Sequence, residues 1–133
     1  TGAGSEDFAF YDGGANVLLL DRSSNDATFA GNVTAYSDER LKDNIETLDG
    51  KKALQMRGVS FTKNGQEGSG VIAQELEKIA PELVLTAKDE MGTKSVAYGN
   101  LVGYLIEAIK EQQTIINRIE ERIKKLEGEN NGD

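Results

Sequence analysis

The segment NLVGYLIEAIKEQQTIINRIEERIKKLE, residues 100–127, carries the longest regular pattern in the chain. With Val102 at position a of a heptad, the a positions are Val102, Ile109, Ile116 and Ile123, and the d positions are Leu105, Gln112, Ile119 and Leu126. Seven of these eight are aliphatic over four heptads, which meets the lower limit of a coiled-coil pattern. The spacing predicts one long helix. Near its start Leu101, Tyr104, Ile106 and Ala108 widen the apolar surface beyond a two-position seam, so this part is expected to be buried in a folded body. From Gln112 onward mainly the seam remains, and there the helix is expected to pair with copies of itself. An amphipathic helix lying on its own domain is the alternative. Isoleucine at both a and d, supplied by Ile116, Ile119 and Ile123, favours three strands over two. Gln112, polar at d, would hold register at some cost in stability. Arg122 and Glu127 would pair between parallel helices, a contact worth only ~0.2–1 kcal/mol.

Upstream of the helix the pattern changes twice. Residues 1–36 hold short apolar runs separated by turn signals such as "DGG", "SSND" and "GN". Candidate strands are Phe8–Tyr11, Val17–Asp21, Ala27–Ala30 and Val33–Tyr36. Strands this short hardly cover two sheet faces within one chain, so an intertwined β-stalk of several copies is expected, with an ordinary meander as the alternative. Residues 37–99 read as a mixed α/β body. A short helix is expected around Lys51–Met56, a strand at "GVSFT" (58–62) and a turn or loop at "NGQEGSG" (64–70). A short strand Val71–Ala73 then leads into a helix from Gln74 to Ala80, stopped by Pro81, the only proline. Leu83–Thr86 and Thr93–Ala97 are expected to pair as a hairpin. The fold class is therefore α+β: a stalk end (1–36), a body (37–99), a long helix (100–127) forming a parallel trimeric coiled coil, and a short tail (128–133).

Composition narrows the function. The 133 residues include 38 % hydrophobic and eight aromatic side chains, enough for a modest core that oligomerisation would support. The formal charge of −8 opposes binding to nucleic acid or to an anionic membrane surface. Self-association must then rest on apolar contact. There is no histidine and no cysteine, so a Ser-His-Asp triad and thiolate chemistry are both impossible, and neither a metal nor a cofactor is expected. Only Lys, Asp, Glu or Tyr remains as a general base. No run approaches the ~18 apolar residues of a membrane span. The opening "TGAGSEDFAF" has no signal-peptide pattern and no initiator Met, and the chain reads as a piece of a longer protein.

One short motif remains, "YSDERLK" at 36–42, with a serine and a lysine five positions apart. The plain reading is a helix start, with Ser37 as N-cap and Asp38 paired to Lys42. The reactive reading needs Ser37 to lie before the helix and the chain to fold back, because five helical steps put the two residues about 140° apart. A neutral lysine would then activate the serine hydroxyl, and the nearest carbonyl to attack is that of Tyr36. Neutrality requires desolvation or nearby cations to lower a pKa of ~10.4 toward ~7–8. Arg40 is a nearby cation.

"SDERLKDNI" (37–45), "GVIAQELEKIAPELV" (70–84) and "SVAYGNLVGYLIEAIKEQ" (95–112) together resemble the C-terminal intramolecular chaperone domain of phage tailspikes and tail fibres, as in endosialidase tailspikes and L-shaped tail fibres. The resemblance covers residues 37 to about 127. It implies a homotrimeric chaperone that folds its own N-terminal β-stalk and then cuts itself off once, in cis, between Tyr36 and Ser37. By the resemblance Ser37 and Lys42 form the cleaving dyad, and Asp38, Arg40, Leu41 and Asn44 also fall on the motif. It implies a virion tail-fibre precursor assembled in the bacterial cytoplasm. Two other readings compete: a trimerisation tip that is never cleaved, and a hydrolase acting on outside substrates. No G-x-S-x-G surrounds Ser37, and no spacing singles out a catalytic pair among the 23 acids.

Overall fold

The computed structural model describes residues 8–130, so Thr1–Asp7 of the expected stalk and the last three residues of the expected tail lie outside the described part. Over the described residues the chain is mixed α/β, with three small antiparallel sheets and a long C-terminal helix. It divides into two compact units, Thr1–Ile45 and Glu46–Asp133.

In the first unit, strands β1 (Phe8–Asp12), β2 (Ala15–Asp21) and β3 (Asp26–Phe29) form a meander in chain order. Gly13 and Gly14 join β1 to β2, with φ of +58° and +90°. A two-residue hairpin turn with both φ positive suits the right-handed strand twist, and glycine alone takes both positions without strain. The next turn is tied by Asp21, whose Oδ1 accepts from Ser23 N (2.7 Å), Ser23 Oγ (2.6 Å) and Ser24 N (3.2 Å). The register sets Phe8 opposite Leu20, and Phe10 and Phe29 opposite Leu18. These side chains share one face, and Phe8, Phe10, Leu20 and Phe29 are all exposed on it. No described residue of this unit is buried. Val33–Tyr36, expected as a fourth strand, has no regular structure, and no strand among the described residues takes up its backbone groups.

The second unit holds the core. A 3-10 turn at Gly50–Gln55 replaces the expected helix near 51–56, with the Asp49 side chain capping it at Lys51 N (3.0 Å). Strands β4 (Gly58–Lys63) and β5 (Gln66–Val71) form a hairpin around Asn64 and Gly65, whose φ values are 52° and 80°. Most of the expected loop at 64–70 is therefore strand. Pairing overrides the poor strand propensity of its glycines, and Gly68 leaves room for the Phe61 ring, which an added Cβ would meet at 2.7 Å. A single helical turn α1 (Ala73–Leu76) runs on through bonds that reach Ala80, and Pro81 opens the next 3-10 turn, Pro81–Leu83. β6 (Val84–Thr86) and β7 (Lys94–Val96) form the expected hairpin. Helix α2 (Leu101–Asn130) follows.

Leu76, Ala80, Leu83 and Tyr104 form the buried cluster, with Ala53, Met56, Val71, Val84, Val96 and Leu101 packed around it. Helix α2 enters this cluster through one face, on which Tyr104 and Ala108 are buried and Leu101 is half-buried. That face is not the heptad seam. Val102, Leu105 and Ile109 are exposed, and so are Ile116, Ile119, Ile123 and Leu126. Of the four residues expected to widen the apolar surface toward the body, Leu101, Tyr104 and Ala108 do face it, whereas Ile106 is exposed, and the seam itself stays open from Val102 to Leu126. From Gln112 to Gly128 every residue is exposed.

Candidate functional site

Ser37 and Lys42 lie within the first unit, and their side chains touch. Lys42 Nζ donates to Ser37 Oγ at 2.7 Å. The contact arises because the segment between them is not an α-helix. Glu39–Leu41 is one 3-10 turn, closed by Leu41 N to Asp38 O (3.1 Å) and Lys42 N to Glu39 O (3.0 Å). Lys42 then leaves in an extended conformation, φ −129° and ψ 138°. The lysine side chain thus returns past the turn to the residue before it, which an α-helical continuation would forbid.

The N-cap of the turn is Asp38, not Ser37. Its Oδ1 accepts from Arg40 N at 2.9 Å. The same carboxylate takes Arg40 Nε (3.0 Å to Oδ1, 3.2 Å to Oδ2) and Nη2 (2.6 Å to Oδ2). The expected Asp38–Lys42 pair is absent for this reason: Arg40 occupies the carboxylate and leaves Lys42 to the serine. The Arg40 side chain, through its hydrogen bonds, holds the Asp38 carboxyl below the usual range, with the Arg40 backbone N–H adding to the effect. The same contact raises Arg40 in turn. Beyond the turn, Asn44 sits at φ 52°, a left-handed conformation that asparagine tolerates better than other side chains. The site is open: Ser37 and Lys42 are exposed, and Tyr36, on the other side of the Tyr36–Ser37 bond, is 98 % exposed.

The role of Asp38 was within reach of the sequence, since Asp leads at N-caps and its partner stands two positions on. In the second unit Arg57 Nε donates to Glu75 Oε2 at 3.1 Å. Among the described residues no group of three or more potential metal ligands comes together.

Residues 37–85 match the Peptidase S74 family, described as "Chaperone of endosialidase". The matched segment opens at Ser37 and spans the Ser37–Lys42 contact, both strands of the β4–β5 hairpin and the turn at Pro81. The chain is also 29 % identical, over 105 residues, to the long tail fiber protein Gp37 of Enterobacteria phage K3. The protein of that name from Enterobacteria phage T2 matches with the same identity and span. Each alignment covers 71 % of this chain and 8 % of the relative, so the chain spans a small part of the length of the curated relatives it matches. Among the described residues no helix is long and apolar enough to cross a membrane.

Proposed function

We propose that this chain is the intramolecular chaperone end of a phage tail fibre, which assembles as a homotrimer, supports folding of the β-stalk ahead of it, and releases itself by cleaving Tyr36–Ser37. The observation that carries the reading is the 2.7 Å contact between Lys42 Nζ and Ser37 Oγ, within a segment that matches a chaperone family bearing a peptidase name. In the reaction a neutral Lys42 takes the hydroxyl proton along that line. Oγ attacks the Tyr36 carbonyl carbon, and the C–N bond breaks as the Ser37 nitrogen gains a proton. Tyr36 is then held as an ester on Ser37, with a free α-amine beside it. Water attacks the ester, leaving a Tyr36 carboxylate and restoring the serine hydroxyl. The turnover is single and in cis, and it needs no substrate pocket.

Trimerisation rests on the open seam. Most helical stability comes from packing an apolar face, and since 112–128 is exposed throughout, its half-exposed isoleucines gain by meeting copies of themselves. The exposed apolar face of β1–β3 suits a stalk wound from several chains. Local helix pairing is quick, and it raises the effective concentration of strands whose pairing is slow. Cleavage afterwards removes the trimerising end and traps the folded stalk kinetically. Because the dyad is exposed in one chain, the desolvation that makes Lys42 neutral comes, in this proposal, from the neighbouring chains, and cleavage becomes a checkpoint on assembly. Stalk and chaperone would be made in the host cytoplasm, and only the stalk kept in the virion.

Intact mass under denaturing conditions tests the cleavage, for this chain beside Ser37→Ala and Lys42→Ala. Fragments 1–36 and 37–133 from this chain alone support the reading. Full-length mass for all three, as folded trimers after long incubation, overturns it and leaves a trimerisation tip, for which the seam alone would argue.

A further inference from the structure

We infer that Asp38 and Arg40 are the positioning residues of the dyad: their clamp holds the 3-10 turn that folds Lys42 back onto Ser37. The inference rests on the cleavage reading for its importance, but its geometry stands apart from it. Residues five apart on a strand are ~16 Å apart, and on an α-helix they point to different faces. Only a tight turn of defined hand brings Ser37 and Lys42 to 2.7 Å. A turn of three residues has little stability of its own, since 3-10 bonds are poorer than α-helical ones and there is no length over which cooperativity builds.

The added hold is the Asp38 carboxylate. It takes the backbone N–H of Arg40 and, through both oxygens, the guanidinium of the same residue. Main chain and side chain of Arg40 are thereby fastened to one group, and the chain leaves the turn in the single direction that returns Lys42. The guanidinium is also committed: its charge is matched by the carboxylate of the residue next to the nucleophile. Arg40 therefore acts on Lys42 through geometry rather than as a free cation beside the amine. The fork of arginine is what the clamp uses, and a lysine in its place would keep the charge but lose the two-point grip.

Single-turnover cleavage rates of the full chain separate the two roles of Arg40. Losing both cap and ion pair in Asp38→Ala is expected to slow cleavage about 10–30-fold, while Asp38→Asn, which keeps an acceptor for Arg40 N, loses only about 2–5-fold. Arg40→Lys is expected to fall as far as Arg40→Gln. A normal rate for Arg40→Lys with a slow Arg40→Gln would overturn the clamp in favour of a charge effect. A contact measurement is independent of any cutting. In the uncleavable Ser37→Ala chain, an NOE between the Lys42 ε-protons and the Ala methyl at 37 is expected, and it is expected to vanish when Asp38→Ala is added. Its persistence overturns the inference whether or not the parent chain cleaves. Its loss in a chain that never cleaves upholds the clamp and removes the proposed reaction.

Discussion

Gly50→Ala is expected to destabilise the second unit without touching either the seam or the dyad. Gly50 is buried where its 3-10 turn crosses α2, and a Cβ there would lie 2.5 Å from Ala108 N and from the Glu107 carbonyl carbon, and 2.7 Å from Glu107 O. Carbon contacts settle near 3.5–4.0 Å, so about 1 Å of separation must be found. It cannot come from a flexible side chain, since all three atoms are helix backbone. Overpacking of this kind costs ~1–3 kcal/mol, and the rigid partner argues for the upper half. The lost freedom of the unfolded chain returns only ~0.4–1 kcal/mol. A net loss of about 2 kcal/mol would lower the thermal midpoint of a body this small by roughly 8–16 °C. Gly58→Ala is the control, because a Cβ there meets nothing within 4 Å. Urea unfolding followed by far-UV circular dichroism, at one protein concentration, reads the difference. Gly50→Ala within about 0.5 kcal/mol of Gly58→Ala would refute the packing argument.

Tyr104 is 3 % exposed and donates its phenol proton to Glu82, a bond that lowers the Glu82 carboxyl from 4.5 and raises the Tyr104 phenol to about 12. This one bond stabilises the fold above the ordinary Glu82 value and fades as pH falls through the depressed one. At the alkaline end it is complete below the ordinary tyrosine value of 10.0 and fades as pH rises through about 12. With Glu82 exposed its worth is about 1 kcal/mol, so Tyr104→Phe should show that deficit in urea at pH 7 and a smaller one at pH 3; an equal deficit at both would assign the loss to packing. Ile116→Asp with Ile123→Asp removes two seam side chains that are 47 % and 48 % exposed, each expected to gain ~1 kcal/mol per chain on pairing. Sedimentation should then report monomers and cleavage should slow, whereas a monomer cleaving at the parent rate would sink the checkpoint.

Much of the fold was legible because it follows local periods. The seven-residue repeat of 102–126 announced α2, and alternation with turn glycines announced β1 to β4 and the β6–β7 hairpin. Two of the misses share a cause. Val33–Tyr36 has strand-like side chains but no partner strand among the described residues, while Gln66–Val71 has weak ones and a complete partner in β4. Pairing, which sequence spacing does not display, decided both. At the site, Ser37 and Lys42 were readable as residues and as a resemblance. The competing helix reading made Ser37 the N-cap and paired Asp38 with Lys42, and the backbone path that separates the two readings is not displayed by spacing.

The sequence by itself determined the long helix with its seven aliphatic seam positions, the lack of any histidine or cysteine, and the presence of one serine and one lysine five positions apart in a short motif. These are properties of order and composition, and they hold whatever the chain folds against. Tertiary structure alone decided that Ile106 and the early seam residues Val102, Leu105 and Ile109 stay off the body, which leaves the seam open along its whole length. It also decided that Gly50 must lack a side chain, and that a three-residue turn brings Lys42 back to Ser37. The physical reason is common to all three: each depends on distances between groups whose separation is set by how backbones cross or turn, and a small change in those angles moves a contact by more than its own length.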